Sequence, residues 1–142
     1  MSIPELDNLV RVHKLSTEAP AESEVDGLVA SARARLTDAE RESLHLESRF
    51  DLAYNAAHAL ALAALRWHGY RSDTRYLVFQ CTTHTLGLAP EKWRILDDAH
   101  RKRNLAEYEG QLDLDTAIVE GLVGVARELE KLVAALGPPS SS

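Results

Sequence analysis

The sequence predicts an all-α fold, an up-and-down bundle of about five to six helices. Apolar residues recur at three- and four-residue spacing along nearly the whole chain, which is the spacing of one helix face. No segment alternates apolar and polar residues over the length of a strand, and no hairpin turn or internal repeat interrupts the pattern. A chain of 142 residues, 45% of them apolar, is long enough for one domain with a buried core.

The first predicted helix is short. Ser2 is expected to cap it, and Pro4 suits its first turn because proline has no amide hydrogen to donate. The helix is expected to fade near Leu15, where the polar, proline-containing segment STEAPAES begins. Residues 1–21 are therefore interpreted as an N-terminal helix and linker that precede the main bundle.

The second and third helices are predicted to meet at a capping box. Residues 22–36 carry apolar side chains spaced for one helix face, which predicts the second helix (Val25, Leu28, Val29, Ala32 and Leu36). Thr37 and Glu40 then form the Thr-x-x-Glu pattern, in which each side chain satisfies a free amide at a helix start. The third and longest helix is therefore expected to run over 38–67.

The second half of this long helix is expected to be covered on most sides. Between residues 52 and 65 only Asn55 and His58 are polar. A buried amide or imidazole without hydrogen bonds costs roughly 1–3 kcal/mol, so both need partners, either in a satisfied core network or around a polar pocket or dimer cleft. The apolar run is shorter than the ~20 residues that a membrane-spanning helix requires, so no membrane association is predicted.

Three more helices complete the predicted bundle, over residues 74–86, from 90 to 105 or 107, and over 114–136. Their ends are predicted from residues typical of helix termini: Ser72 or Asp73 before the fourth helix, Gly87 after it, Pro90 at the start of the fifth and Gly110 after it. The bundle is accordingly assigned to residues 22–137, and a disordered tail to 138–142.

The last helix carries a heptad pattern. Its apolar residues follow alternating steps of four and three, which suits nearly parallel packing against a neighbouring helix (Ile118, Leu122, Val125, Leu129, Leu132 and Leu136). Ala117, Gly121 and Gly124 are expected to let the two backbones approach closely. Two interpretations stay open: a seam inside the bundle, or an interface between subunits.

The formal charge of −6 is unevenly distributed along the chain. Residues 66–103 hold eight basic and four acidic side chains, a net charge of +4, which leaves −10 for the remainder. The acidic total argues against nucleic-acid binding over the whole surface. The split predicts a confined basic region on an acidic body, or alternatively a scatter of charges that ion pairs neutralise.

Cysteine usage and the N-terminal residues bound the chemistry and the compartment. The single cysteine, Cys81, excludes an intramolecular disulfide and a Cys-rich zinc site, and its expected role is that of a packed thiol. The N-terminus lacks a basic segment followed by an apolar run, so a cytoplasmic location is expected. A glycine-rich phosphate loop, Gly-x-Ser-x-Gly and His-Glu-x-x-His are all missing, and neither a cofactor nor a metal site is predicted.

The densest group of candidate functional residues lies in the fifth predicted helix. His100, Arg103 and Asn104 share one helix face, and Tyr108 extends that face by a turn. An imidazole, a guanidinium and an amide together suit recognition of a nucleotide or phosphodiester, because arginine offers a bidentate fork to phosphate. The alternative is a helix-terminal cluster that pairs with acidic residues one turn earlier.

Two segments resemble a known family. The segment RFDLAYNAAHAL at 49–60 is similar to the long-helix pattern of small prokaryotic HEPN domains (higher eukaryotes and prokaryotes nucleotide-binding). The segment RNLAEY at 103–108 is similar to the start of that family's Arg-x(4–6)-His motif. The resemblance covers residues 49–136 and implies a helical bundle that dimerises with the motifs facing each other. Active members are metal-independent ribonucleases, and many are toxins paired with a small nucleotidyltransferase antitoxin.

The chain departs from the family motif at the histidine. Arg103 and Asn104 carry over by position, but residues 108–110 are Tyr, Glu and Gly, which resembles the branch with Asp/Glu-Tyr at this point. Three hypotheses follow. The first is a dimeric binding or accessory protein that recognises a nucleotide, RNA or partner protein through the 100–108 face, in toxin–antitoxin or defence biology. The second is a ribonuclease in which His100 or His58 replaces the missing base beside Arg103. The third is a purely structural oligomerisation module.

Overall fold

The computed structural model describes residues 3–110 and 112–139, and over these residues it confirms the all-α prediction. The described part of the chain forms six helices and one two-stranded antiparallel sheet. The helices are α1 Pro4–Arg11, α2 Glu22–Ala39, α3 Leu46–Trp67, α4 Arg75–Thr85, α5 Pro90–Glu109 and α6 Thr116–Leu136, and the strands are β1 Ser16–Thr17 and β2 Tyr70–Arg71. None of these helices is long and apolar enough to cross a membrane.

Helix α3 is the centre of the bundle and packs against α2, α4, α5 and α6. Its second half is covered on most sides, as predicted, and alanines account for much of the buried surface (Ala53, Ala56, Ala57, Ala59, Ala61, Ala63 and Ala64). Small side chains let the neighbouring helices approach closely, because they leave shallow ridges on the helix surface. Asn55 and His58 are only partly buried, so they lie at the edge of this core.

The predicted boundary between the second and third helices is wrong. Helix α2 continues to Ala39, and α3 begins only at Leu46. Thr37 caps no helix start, because its hydroxyl donates a 3.0 Å hydrogen bond to the carbonyl one turn earlier inside α2. The Nε of the buried Arg49 donates to the Ala39 carbonyl at 2.7 Å, which satisfies a free acceptor at the end of α2.

The N-terminal segment packs onto the bundle. Leu6 and Leu15 are buried in the common core. The predicted linker contains β1, which pairs with β2. Each strand has only two residues, too few to show alternation of apolar and polar residues in the sequence. The predicted cap Ser2 lies outside the described residues, Ile3 occupies the N-cap position, and α1 ends at Arg11.

A buried arginine fixes this segment in place. The Arg66 guanidinium is 1% exposed and donates to the carbonyls of Glu18, Ala19 and Tyr70 at 2.8–3.2 Å. Its Nε donates to a carboxylate oxygen of Glu24 at 2.7 Å. The carboxylates of Glu18 and Glu24 each form ion pairs with both Arg66 and Arg71. The buried cation is therefore compensated, as burial of a charge requires.

The glycine signals at helix ends are confirmed. Gly87 and Gly110 follow α4 and α5 with φ of +62° and +71°, the left-handed region that favours glycine. Thr74, rather than Ser72 or Asp73, occupies the N-cap of α4, although the Ser72 hydroxyl accepts a hydrogen bond from its amide. Helix α5 runs two residues further than predicted. Residues 140–142 of the predicted tail lie outside the described residues.

Helix α6 forms an internal seam, and Leu122, Val125 and Leu129 of the predicted line are buried. Its apolar face packs against α3. Val119, Val123, Ala126 and Val133 are buried as well, whereas Ile118, Leu132 and Leu136 of the predicted line are only partly buried. The expected close approach at Gly121 and Gly124 is wrong, because a Cβ atom added at either position would meet no atom within 4 Å. That side of α6 faces away from the core.

Candidate functional site

Three helices bring most of the predicted site residues together around one tyrosine. We call this group the Tyr54 cluster: Tyr54 and Asn55 of α3, Arg75 of α4, and His100, Arg103 and Asn104 of α5. The tyrosine side chain is 1% exposed, while the surrounding polar groups reach the surface. The cluster therefore consists of a buried aromatic ring surrounded by polar groups that are accessible at the surface.

A hydrogen-bonded chain orients the imidazole of His100. Its Nδ1 lies 3.0 Å from the hydroxyl of Tyr54, and its Nε2 lies 3.1 Å from the amide nitrogen of Asn104. With the Asn104 amide as donor, Nε2 is the acceptor and Nδ1 carries the hydrogen that is donated to Tyr54. Burial lowers the pKa of His100, and Arg103 and Arg75 lower it further despite the opposing charge of a nearby aspartate. The ring is therefore neutral near pH 7.

Two guanidinium groups approach the same aromatic ring. The Cζ atoms of Arg103 and Arg75 lie 4.8 and 5.7 Å from the centroid of the Tyr54 ring. Both are within the range of a favourable cation–π contact. Burial raises the pKa of Tyr54, although the two arginines oppose the shift. The neutral tyrosine ring is therefore contacted by two cations.

The two arginines differ in their other partners. Arg103 Nη1 lies 3.4 Å from Oδ1 of Asp51, a carboxylate that is 65% exposed. Arg75 Nη1 donates to Oδ1 of Asn55 at 3.0 Å and forms no ion pair with any carboxylate among the described residues. The Asn55 amide in turn donates to the Asp51 carbonyl at 2.9 Å. One cation is thus loosely paired and the other has only a neutral partner.

His58 lies beside the cluster rather than in it. Its ring contacts Phe79 edge-on at 5.8 Å between centroids, and Phe79 also contacts the ring of His100 at 6.4 Å. Burial lowers the pKa of His58 to about 4, with smaller contributions from Arg75 and Arg103. A histidine with this pKa is neutral at pH 7 and is a weak base.

Tyr108 is placed apart from the other predicted residues. It lies one turn beyond Asn104 near the end of α5, and it is 88% exposed. Neither a hydrogen bond nor an aromatic contact links it to the Tyr54 cluster among the described residues. Of the predicted helix face, His100, Arg103 and Asn104 therefore take part in the contacts of the Tyr54 cluster, and Tyr108 does not.

Residues 66–103, which carry a net charge of +4, do not form a continuous basic surface. Most of their eight cations are paired with carboxylates: Arg66 and Arg71 with Glu18 and Glu24, Lys92 with Glu128, Arg101 with Asp97, Lys102 with Asp98, and Arg103 with Asp51. Arg75 and Arg94 alone among the eight lack an ion pair with a carboxylate in the described ranges. The prediction of a basic region is therefore corrected in favour of neutralised scatter.

An open depression gives access to the cluster beside Arg103. It has a volume of about 330 Å³ and lies between the start of α3 and the end of α5, where three carboxylates and one guanidinium contribute its charged lining (Glu47, Asp51, Glu107 and Arg103). Across residues 3–110 and 112–139, no group of three or more His, Cys, Asp or Glu side chains is arranged to hold a metal ion. Cys81 is buried, and burial raises the pKa of its thiol to about 11, as suits a packed side chain.

Sequence reasoning missed Tyr54, Arg75 and Phe79. Tyr54 had a usable signal, because a phenol within an apolar helix needs a hydrogen-bond partner. Arg75 had none, since its approach to Asn55 depends on how α4 packs against α3.

Comparison with protein-family models, curated proteins and solved structures found no significant match to this chain.

Proposed function

We propose that this protein is a HEPN-like helical binding protein that holds the phosphate of a nucleotide or of an RNA strand at the Tyr54 cluster. The observation that carries the proposal is the position of Arg75 and Arg103, which approach one buried aromatic ring from α4 and α5. Two guanidinium groups held at one site provide the paired, directional donors that phosphate oxygens require. The resemblance of residues 103–108 to the HEPN motif points to the same part of the chain.

The geometry supplies a route for an anion to bind. The ion pair between Arg103 and Asp51 is long at 3.4 Å, and the carboxylate is mostly exposed, so a phosphate oxygen can displace it at little cost. Asn55 and Asn104 add amide groups on either side. The neutral His100 contributes orientation rather than charge. The depression beside Arg103 leaves space for the remainder of the ligand.

Binding by matched variants tests the proposal. The probes are a short fluorescein-labelled single-stranded RNA, followed by anisotropy, and a nucleoside triphosphate, followed by isothermal titration calorimetry. R75A and R103A are each expected to weaken binding roughly tenfold or more and to reduce the salt dependence by about one counter-ion. The control is R94A, which removes the same charge from an exposed position of α5 that faces away from the cluster.

The outcomes separate the candidate functions. No binding by wild-type protein, or equal weakening by R94A, would contradict the phosphate site. The structural-module hypothesis instead expects R103A to lower the melting temperature, so thermal unfolding of each variant is measured in parallel. An unchanged melting temperature with lost binding supports the binding protein.

A second candidate function is ribonuclease activity. The specific observation in its favour is a neutral His100 one turn from Arg103, oriented at both ring nitrogens. Cleavage of total RNA in EDTA is expected to be abolished by H100A and retained by H84A, which alters an exposed histidine of α4. Intact RNA after incubation with wild-type protein would refute this candidate.

The HEPN resemblance carries further predictions with it. They are a homodimer with the motifs facing each other, a nucleotidyltransferase partner, a role in toxin–antitoxin or defence systems, and a cytoplasmic location. A neighbouring reading frame for a small nucleotidyltransferase would support the partner, and co-purification of the two proteins would test it directly.

A further inference from the structure

The outward face of α5 carries an ordered stripe of charge. We call Glu91, Arg94, Asp98 and Arg101 the α5 stripe; all four are exposed. Their steps of three, four and three residues place them along one face of the helix. Their signs alternate from negative to positive along the chain. Read from the other end of the helix, the order of signs is therefore reversed at every one of the four positions.

We propose that this face binds a second copy of the same chain, with the two α5 helices antiparallel. In that arrangement Arg94 lies opposite Asp98 of the second copy, and Glu91 lies opposite Arg101 of the second copy. A two-fold axis generates each of these pairs twice, because both copies present the same patch. Parallel alignment would instead place like charges together, so the stripe selects one direction.

The individual charges differ in their availability for such pairs. Arg101 already pairs with Asp97 at 3.1 Å, and Asp98 approaches Lys102 only at 3.9 Å. Arg94 has no ion pair with a carboxylate of the described chain. The pair formed by Arg94 and Asp98 of the second copy therefore gains most from association, and it lies nearest the two-fold axis.

An apolar groove beside the stripe supplies surface to bury. It lies between α5 and α6, has a volume of about 250 Å³, and is lined largely by Phe50, Ile95, Ala99, Ala117, Ile118 and Leu122. Gly121 lies in its floor, and a Cβ atom at that position would meet nothing within 4 Å. Leu105, 53% exposed, continues the same face of α5. Polar contacts beside an apolar groove are the usual composition of a protein interface.

This interface is independent of the proposed phosphate site. His100, Arg103 and Asn104 lie on the side of α5 that faces α3, away from the α5 stripe. Association through the stripe therefore leaves the Tyr54 cluster open in both copies. It is an alternative to the dimer that the HEPN resemblance implies, in which the motifs face each other, and a dimer that survives the charge reversals described below would favour that arrangement instead.

Reciprocal charge reversal tests the proposal by sedimentation velocity and light scattering. Wild-type protein is expected to be a dimer. R94D places Asp opposite Asp98 twice, and D98R places Arg opposite Arg94 twice, so each variant alone is expected to dissociate at least roughly tenfold more readily. An equimolar mixture is expected to form a heterodimer, because both pairs are again of opposite sign.

Circular dichroism and melting temperature verify that each variant is folded. G121R, which projects a long cation into the groove from a position with free space, is expected to give a folded monomer. A monomeric wild type, dimers that survive both single reversals, or a mixture that stays monomeric would each overturn the proposal. RNA or nucleotide binding by the monomeric variants is measured separately and decides only the phosphate site.

Discussion

Removal of the Arg66 guanidinium is expected to release the N-terminal segment from the bundle. R66M keeps a long apolar side chain but leaves the carbonyls of Glu18, Ala19 and Tyr70 without their donor. Loss of one partner from a buried ion pair costs ~3–5 kcal/mol. Glu24 retains Arg71 and is partly exposed, so we take the lower end, about 3 kcal/mol.

The expected effect is large enough to measure with confidence in its sign. For a chain of this length, about 3 kcal/mol corresponds to a fall in melting temperature of roughly 10 °C. The matched control is R71M, which removes an arginine that pairs with the same glutamates but is 33% exposed. A surface pair is worth at most ~1 kcal/mol, so R71M should lower the melting temperature by only a few degrees.

A local readout distinguishes release of the segment from general loss of stability. The Glu18 amide donates to the Gly69 carbonyl at 3.0 Å next to the β1–β2 pairing. Hydrogen exchange of this amide is expected to accelerate in R66M more than exchange in α3. Equal melting temperatures for R66M and R71M, or uniform acceleration over the whole chain, would refute the assigned role of Arg66.

Three further predictions follow from single positions. Burial lowers the pKa of His58 to about 4, so the unfolded state binds more protons than the folded state between pH 6.5 and 4. The free energy of unfolding therefore falls as pH falls through this range. H58L should reduce the difference in this free energy between pH 7 and pH 5, measured by urea unfolding. G121A should stabilise the protein by up to ~1 kcal/mol, whereas G110A should destabilise it by a similar amount, since Gly110 has φ of +71° and both sites have free space; a common sign for the two would contradict this reasoning. D115A should cost ~1 kcal/mol in thermal unfolding, because Asp115 Oδ1 accepts a 2.8 Å hydrogen bond at the start of α6, and T37A should cost less because Thr37 caps no helix.

The helices were predictable because their information is local. Apolar spacing predicted each helix of the bundle, and the glycines at 87 and 110 predicted two helix ends. The boundary near Thr37 failed because a Thr-x-x-Glu pattern fits the last turn of one helix as well as the first turn of the next. The hydrogen bond from Arg49 to the Ala39 carbonyl, ten residues apart, decides between them.

The candidate site shows the same division between local and distant information. His100 and Asn104 were predictable as neighbours, since four residues on one helix bring side chains together. Tyr54 lies 46 residues from His100, and Arg75 lies 20 residues from Asn55. Their contacts depend on the packing of α3 against α4 and α5, which no periodicity within one helix specifies. The charge of the 66–103 segment misled for the same reason, because four of its cations pair with carboxylates outside the segment, at Glu18, Glu24, Asp51 and Glu128.

The two arginines of residues 66–103 that lack a carboxylate partner among the described residues mark two different surfaces. Arg75 lies at the Tyr54 cluster, while Arg94 lies on the opposite side of α5 beside the apolar groove. Because no described contact links these surfaces, R75A should change ligand affinity by the same factor in the R94D background as in wild type, and R94D should weaken self-association equally in either background. In the arrangement with facing motifs, R94D would instead leave self-association unchanged, because Arg94 lies away from that interface, whereas R75A would alter self-association as well as ligand affinity. The same four proteins therefore decide which side of α5 a second copy occupies.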